Sequence, residues 1–80
     1  MSERTENLGR HVELRQQRLR LVAECEAMRG ELRRALPPEE EVGGLDREKI
    51  INTALALANS LEELSGIDRK LDILARNLGL

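Results

Sequence analysis

IINTALALANSLEELSGIDRKLDILARNL, residues 50–78, decides the fold. Ile50, Leu57, Leu64, Leu71 and Leu78 recur at every seventh position. Seven residues fall just short of two turns of an α-helix, so this spacing draws one apolar line along a helix and predicts coiled-coil packing. Ala54, Leu61 and Ala75 are expected to fill the alternate seam four residues on, with Asp68 as its one polar member. Asp46 is a good N-cap, and Leu45 and Ile50 stand where a hydrophobic staple needs them. Gly79 offers a left-handed stop, with Leu80 able to fold back on the last turn. A helix over about 46–78 follows. Ser65-Gly66 is the alternative break, because glycine inside a helix costs about 1 kcal/mol and Ser65 to Asp68 resembles a capping box. A continuous helix is favoured, since the heptad register runs through the site and Glu62 and Glu63 are poorly placed for a helix C-terminus.

Upstream, the apolar spacing is again helical over about 7–36. Leu14, Leu21, Cys25, Met28, Leu32, Ala35 and Leu36 fall on one side at ~100° per residue. Asn7 or Thr5 is the expected cap. Pro37-Pro38 stops this helix, because proline drives its predecessor out of the α region. The connection PPEEEVGGL, residues 37–45, is polar and rich in proline and glycine. Two helices of similar length, one joint and one main apolar stripe each predict an all-α chain folded as an antiparallel two-helix hairpin. Its expected core is Leu14, Leu21, Cys25, Met28 and Leu32 against Ile50, Leu57, Leu61, Leu64, Leu71 and Leu78.

Composition supports this and narrows the function. The chain has 80 residues and no Phe, Tyr or Trp, so the usual platforms for stacking on bases or sugars are missing. A single cysteine, Cys25, rules out an internal disulfide and a cysteine-based zinc site. A chain this short has a marginal core of its own, which leaves regular helix packing and association with another chain as sources of stability. Residues 1–36 carry eight Arg and six acids, whereas residues 37–80 carry five Lys or Arg and nine acids. Neither half is basic enough to imply nucleic acid. No stretch approaches the ~20 apolar residues of a membrane span, and the N-terminus lacks a signal-peptide core. The expectation is a cytoplasmic protein that stays off the membrane and carries neither a metal nor a cofactor.

The remaining polar features have plain readings. His11-Val12-Glu13-Leu14-Arg15 resembles the phosphoacceptor box of sensor histidine kinases, whose dimerisation domain is also a two-helix hairpin; that resemblance implies phosphotransfer at His11. Val12 separates the histidine from the acid here, and the downstream Thr-Pro of that family is absent. Arg10, Arg15, Arg18 and Arg20 form the densest basic region, the basis of an alternative reading as a small nucleic-acid-binding regulator, although Glu13 interrupts them. Glu39-Glu40-Glu41 lacks the spaced ligands of a calcium loop. No catalytic triad frame or phosphate loop is present, so the chain is not expected to be an enzyme.

Apolar residues remain that one hairpin cannot bury: Leu8, Val12 and Leu19 on the first helix, Ile51, Leu55 and Ile73 on the second. Such extra stripes require a further surface. The simplest supplier is another copy, giving a homodimeric antiparallel four-helix bundle. The expected function is a protein–protein interaction module, such as an adaptor, small regulator or chaperone-like subunit.

Overall fold

The computed structural model describes residues 2–80, and within them the chain is a helical hairpin. Helix α1 spans Glu3–Ala35 and helix α2 spans Arg47–Leu78, joined by a short 3₁₀ turn at Val42–Gly44. The molecule is a rod of 60 × 17 × 14 Å with a radius of gyration of 18.0 Å. A compact globule of this length would have a radius near 12 Å, so almost every residue lies close to the surface.

Helix α1 begins four residues before the expected start. Ser2 is the cap, not Asn7 or Thr5: its hydroxyl accepts from the Thr5 amide at 3.2 Å. Glu3 and Glu6 in the first turn complement the positive end of the helix. At the other end Leu36 leaves the α region (φ −124, ψ 53) ahead of Pro37, with Arg33 and Arg34 in the last turn.

Helix α2 begins where its cap predicts. The Asp46 carboxylate accepts from the Lys49 amide at 3.1 Å. The helix runs without interruption through Ser65-Gly66, so the heptad line outweighs one glycine. It ends in a complete Schellman motif: Gly79 adopts φ 74, its amide donates to the Arg76 carbonyl, and the Leu80 amide reaches the Ala75 carbonyl at 2.8 Å. The Leu80 side chain stays exposed. Across the open end, the Arg4 guanidinium donates to the Leu78 carbonyl at 3.2 Å, placing a cation on the C-terminal carbonyls of α2.

The inward lines of both helices alternate steps of three and four. On α1 they are Asn7, His11, Leu14, Arg18, Leu21, Cys25, Met28, Leu32 and Ala35, all buried or half-buried. On α2 they are Ile50, Thr53, Leu57, Ser60, Leu64, Ile67, Leu71, Leu74 and Leu78. The seven-residue line holds as read, but its companion lies three residues on, not four. Leu61 is therefore 49% exposed instead of a core residue, and Asp68 is exposed. Leu74, expected nowhere in the core, is buried to 7%. The charge at Asp68 explains the choice. A line through 54, 61, 68 and 75 would desolvate a carboxylate, whereas one through 53, 60, 67 and 74 buries Ile67 and Leu74 at the open end. The cost falls near the loop, where Thr53 and Ser60 replace large apolar residues. Among the described residues Leu14, Leu21, Cys25, Leu74 and Leu78 are the buried apolar ones, and no large side chain is fully enclosed.

Candidate protein-interaction face

Register fixes which residues stand level. Arg18 Nε donates to Asp68 Oδ1 at 2.5 Å, so residue numbers that total about 86 lie side by side across the hairpin. The hydrogen bond and then the charge of Asp68 raise the Arg18 guanidinium above its ordinary value. This pair spans the hairpin just outside the seam, which accounts for a charged residue on the inward line of α1.

The two broad faces of the hairpin have opposite character. Residues just before inward positions form one face: Gln17 before Arg18, Glu24 before Cys25, Glu63 before Leu64 and Lys70 before Leu71. These residues, with Arg20 and Gly66, line a shallow groove between the helices, with Leu21 and Ile67 at its floor. Residues just after inward positions form the other face. On α1 these are Leu8, Val12, Leu19 and Val22; on α2 they are Ile51, Ala54, Ala58 and Leu61, while Leu55, midway between the inward Thr53 and Leu57, lies on the back of α2. Leu8, Val12, Leu19, Ile51, Leu55 and Leu61 are all exposed, Leu19 to 70%.

Four of the six residues read from the sequence as an extra stripe thus share one face, and Leu55 does not, because it lies on the side of α2 turned away from α1. Nor does Ile73: it precedes the inward Leu74 and lies on the polar side, 52% exposed. Leu61 and Val22 join the face. Leu61 was hidden by its apparent place in the seam, and a three-step companion line would have revealed it. Val22 directly follows Leu21 and is half-buried.

The other candidate residues are scattered. His11 is half-buried on the inward line, and Cys25 is a buried free thiol level with Ser60 and Leu61. Arg10 and Arg20 precede inward positions and lie on the polar face, Arg15 follows the inward Leu14 on the other face, and Arg18 is tied to Asp68, so the four do not form one basic face. Glu39, Glu40 and Glu41 are exposed in the connection. Among the described residues no group of three or more His, Cys, Asp or Glu could hold a metal ion, and no helix is long and apolar enough to cross a membrane. Comparison with family models, curated proteins and solved structures finds no match.

Proposed function

We propose that this chain is a non-enzymatic protein-interaction module that works as a helical-bundle homodimer, in the role of an adaptor, small regulator or chaperone-like subunit. One observation carries the reading: exposed Leu8, Val12, Leu19, Ile51 and Leu61 gather on one face, while the opposite face is lined by charged and amide side chains.

The magnitudes support association. The exposed fractions of those five residues add up to roughly two and a half whole aliphatic residues, or on the order of 430 Å² per copy, worth about 11 kcal/mol at ~25 cal/mol per Å² as an upper bound. Two copies double this, against roughly 4–15 kcal/mol for lost rigid-body freedom. The remainder, roughly 7–18 kcal/mol, spans the ~8 kcal/mol of a micromolar complex. The thin seam points the same way, since Thr53 and Ser60 leave the loop half of the hairpin short of apolar contact.

Analytical ultracentrifugation tests the proposal. The expected species at micromolar concentration is a dimer, and Leu19→Glu is expected to give a helical monomer. A folded wild-type monomer at high concentration would contradict self-association.

A further inference from the structure

The apolar surface on this face changes helix at mid-length. On α1 the residues that follow the inward line are apolar up to Val22, apart from Arg15, and then become Glu26, Arg29 and Arg33. On α2 they are apolar from Ile51 to Leu61 and then become Ser65, Asp68 and Asp72. Val22 and Leu61 stand nearly level in the register set by Arg18 and Asp68. The α1 half of the stripe therefore ends where the α2 half begins. The stripe is one helix wide at every level and runs obliquely from the open end of α1 to the loop end of α2.

Its inclination follows from helix geometry. The two halves centre near residues 15 and 56, and residue 56 is level with residue 30. That offset is ~22 Å at 1.5 Å per residue. With neighbouring axes ~10 Å apart, the stripe is tilted about 25° to the hairpin axis. An aligned two-fold dimer with loops at opposite ends would set the apolar half of α1 over Glu26, Arg29 and Arg33 of the other copy. An aligned dimer with loops together would set it over Asp68 and Asp72. Neither superposes stripe on stripe.

We infer that the occupant of this face is a second copy that crosses the first at about 50°, its stripe lying along the first, with loops pointing to opposite ends. The inference rests on the dimer proposed above and specifies its pairing. The two-fold axis lies perpendicular to the stripe and passes between Val22 and Leu61. Helix α1 of each copy then packs its open half on the loop half of α2 of the other, with Val12 over Ile51. Area supports a second copy. About 430 Å² of apolar surface, in an interface ~60% non-polar, corresponds to ~700 Å² per partner, within the range of a standard stable interface.

Cysteine cross-linking in a Cys25→Ser background decides it. Val12 and Ile51 of one chain are ~35 Å apart along the rod, and Val12 and Arg33 are ~30 Å apart on one helix, so either link can form only between chains. Val12→Cys with Ile51→Cys is expected to give a covalent dimer under mild oxidation, and Val12→Cys with Arg33→Cys is not. A sedimenting dimer that forms the 12–33 link, or fails to form the 12–51 link, overturns the crossing. A background protein that sediments as a folded monomer overturns the dimer itself.

Discussion

Leu74→Ala is the sharpest probe of how the hairpin holds together, because the apparent heptad companion line excluded this residue and the structure buries it to 7% exposure. Replacing its isobutyl group by methyl removes three carbons and forfeits about 2.4 kcal/mol of transfer free energy at ~0.8 kcal/mol per methylene-sized group. A cavity term adds to this, but a rod this thin can close much of the gap. The total should sit near the lower end of the 2–5 kcal/mol range for Leu→Ala, about 2.5–3 kcal/mol. An 80-residue domain has a stability of roughly 4–12 kcal/mol, so the loss is about a fifth or more of the whole. Leu61, 49% exposed, should lose only about 1 kcal/mol on the same change, about half the transfer value and with no enclosed cavity. The comparison is best made in the Leu19→Glu background, where Leu61 has no partner copy to bury it. Urea unfolding followed by far-ultraviolet circular dichroism gives both numbers. If Leu61→Ala costs as much as Leu74→Ala, the companion line runs through 54, 61, 68 and 75 after all, and the division into two faces fails.

Other substitutions test separate parts of the account. Gly66→Ala should stabilise the protein by about 0.5–1 kcal/mol, because a Cβ there meets nothing within 4 Å; it should leave association unchanged, since Gly66 lines the polar groove. Asp46→Ala removes the cap of α2 and should cost about 1 kcal/mol in thermal or urea unfolding. Asp68→Asn breaks the pair with Arg18, whose partners are both nearly half exposed; its effect on the melting temperature should be small and should disappear in molar salt. Arg20→Glu, on the polar face, should leave the sedimentation of the dimer unchanged, whereas Val12→Glu should weaken it strongly.

Most of the hairpin was legible because its signals are local. Asp46, Gly79, Pro37 and the seven-residue recurrence from Ile50 to Leu78 each act within one or two turns. The start of α1 was misplaced because Ser2, Thr5 and Asn7 are all competent caps, and nothing local ranks them. The companion line of α2 was misassigned for a different reason. Positions three and four beyond a seam residue both lie near the seam, so Ser60 and Leu61 compete, as do Ile67 and Asp68. Choosing by residue at the loop end favours Leu61, and choosing at the open end favours Ile67. A straight helix must take one solution throughout, and the cost of burying Asp68 settles it at the far end. The same slip carried Leu61 into the supposed core and hid how much apolar surface lies outside. Ile51, Leu55 and Ile73 all stand off the heptad line, but displacement from the line does not by itself say which side of the seam a residue occupies.

The central claim is that the face carrying Leu8, Val12, Leu19, Ile51 and Leu61 is covered by protein in the working state. Methyl NMR with a soluble paramagnetic probe measures this directly, residue by residue, on the wild-type chain at micromolar concentration. The methyl groups of Leu19 and Leu61 should be protected from the probe, while those of Ile73 on the polar face and Val42 in the connection should be strongly relaxed. If Leu19 and Leu61 relax as fast as Ile73 and Val42, the face is open to water and the account is wrong.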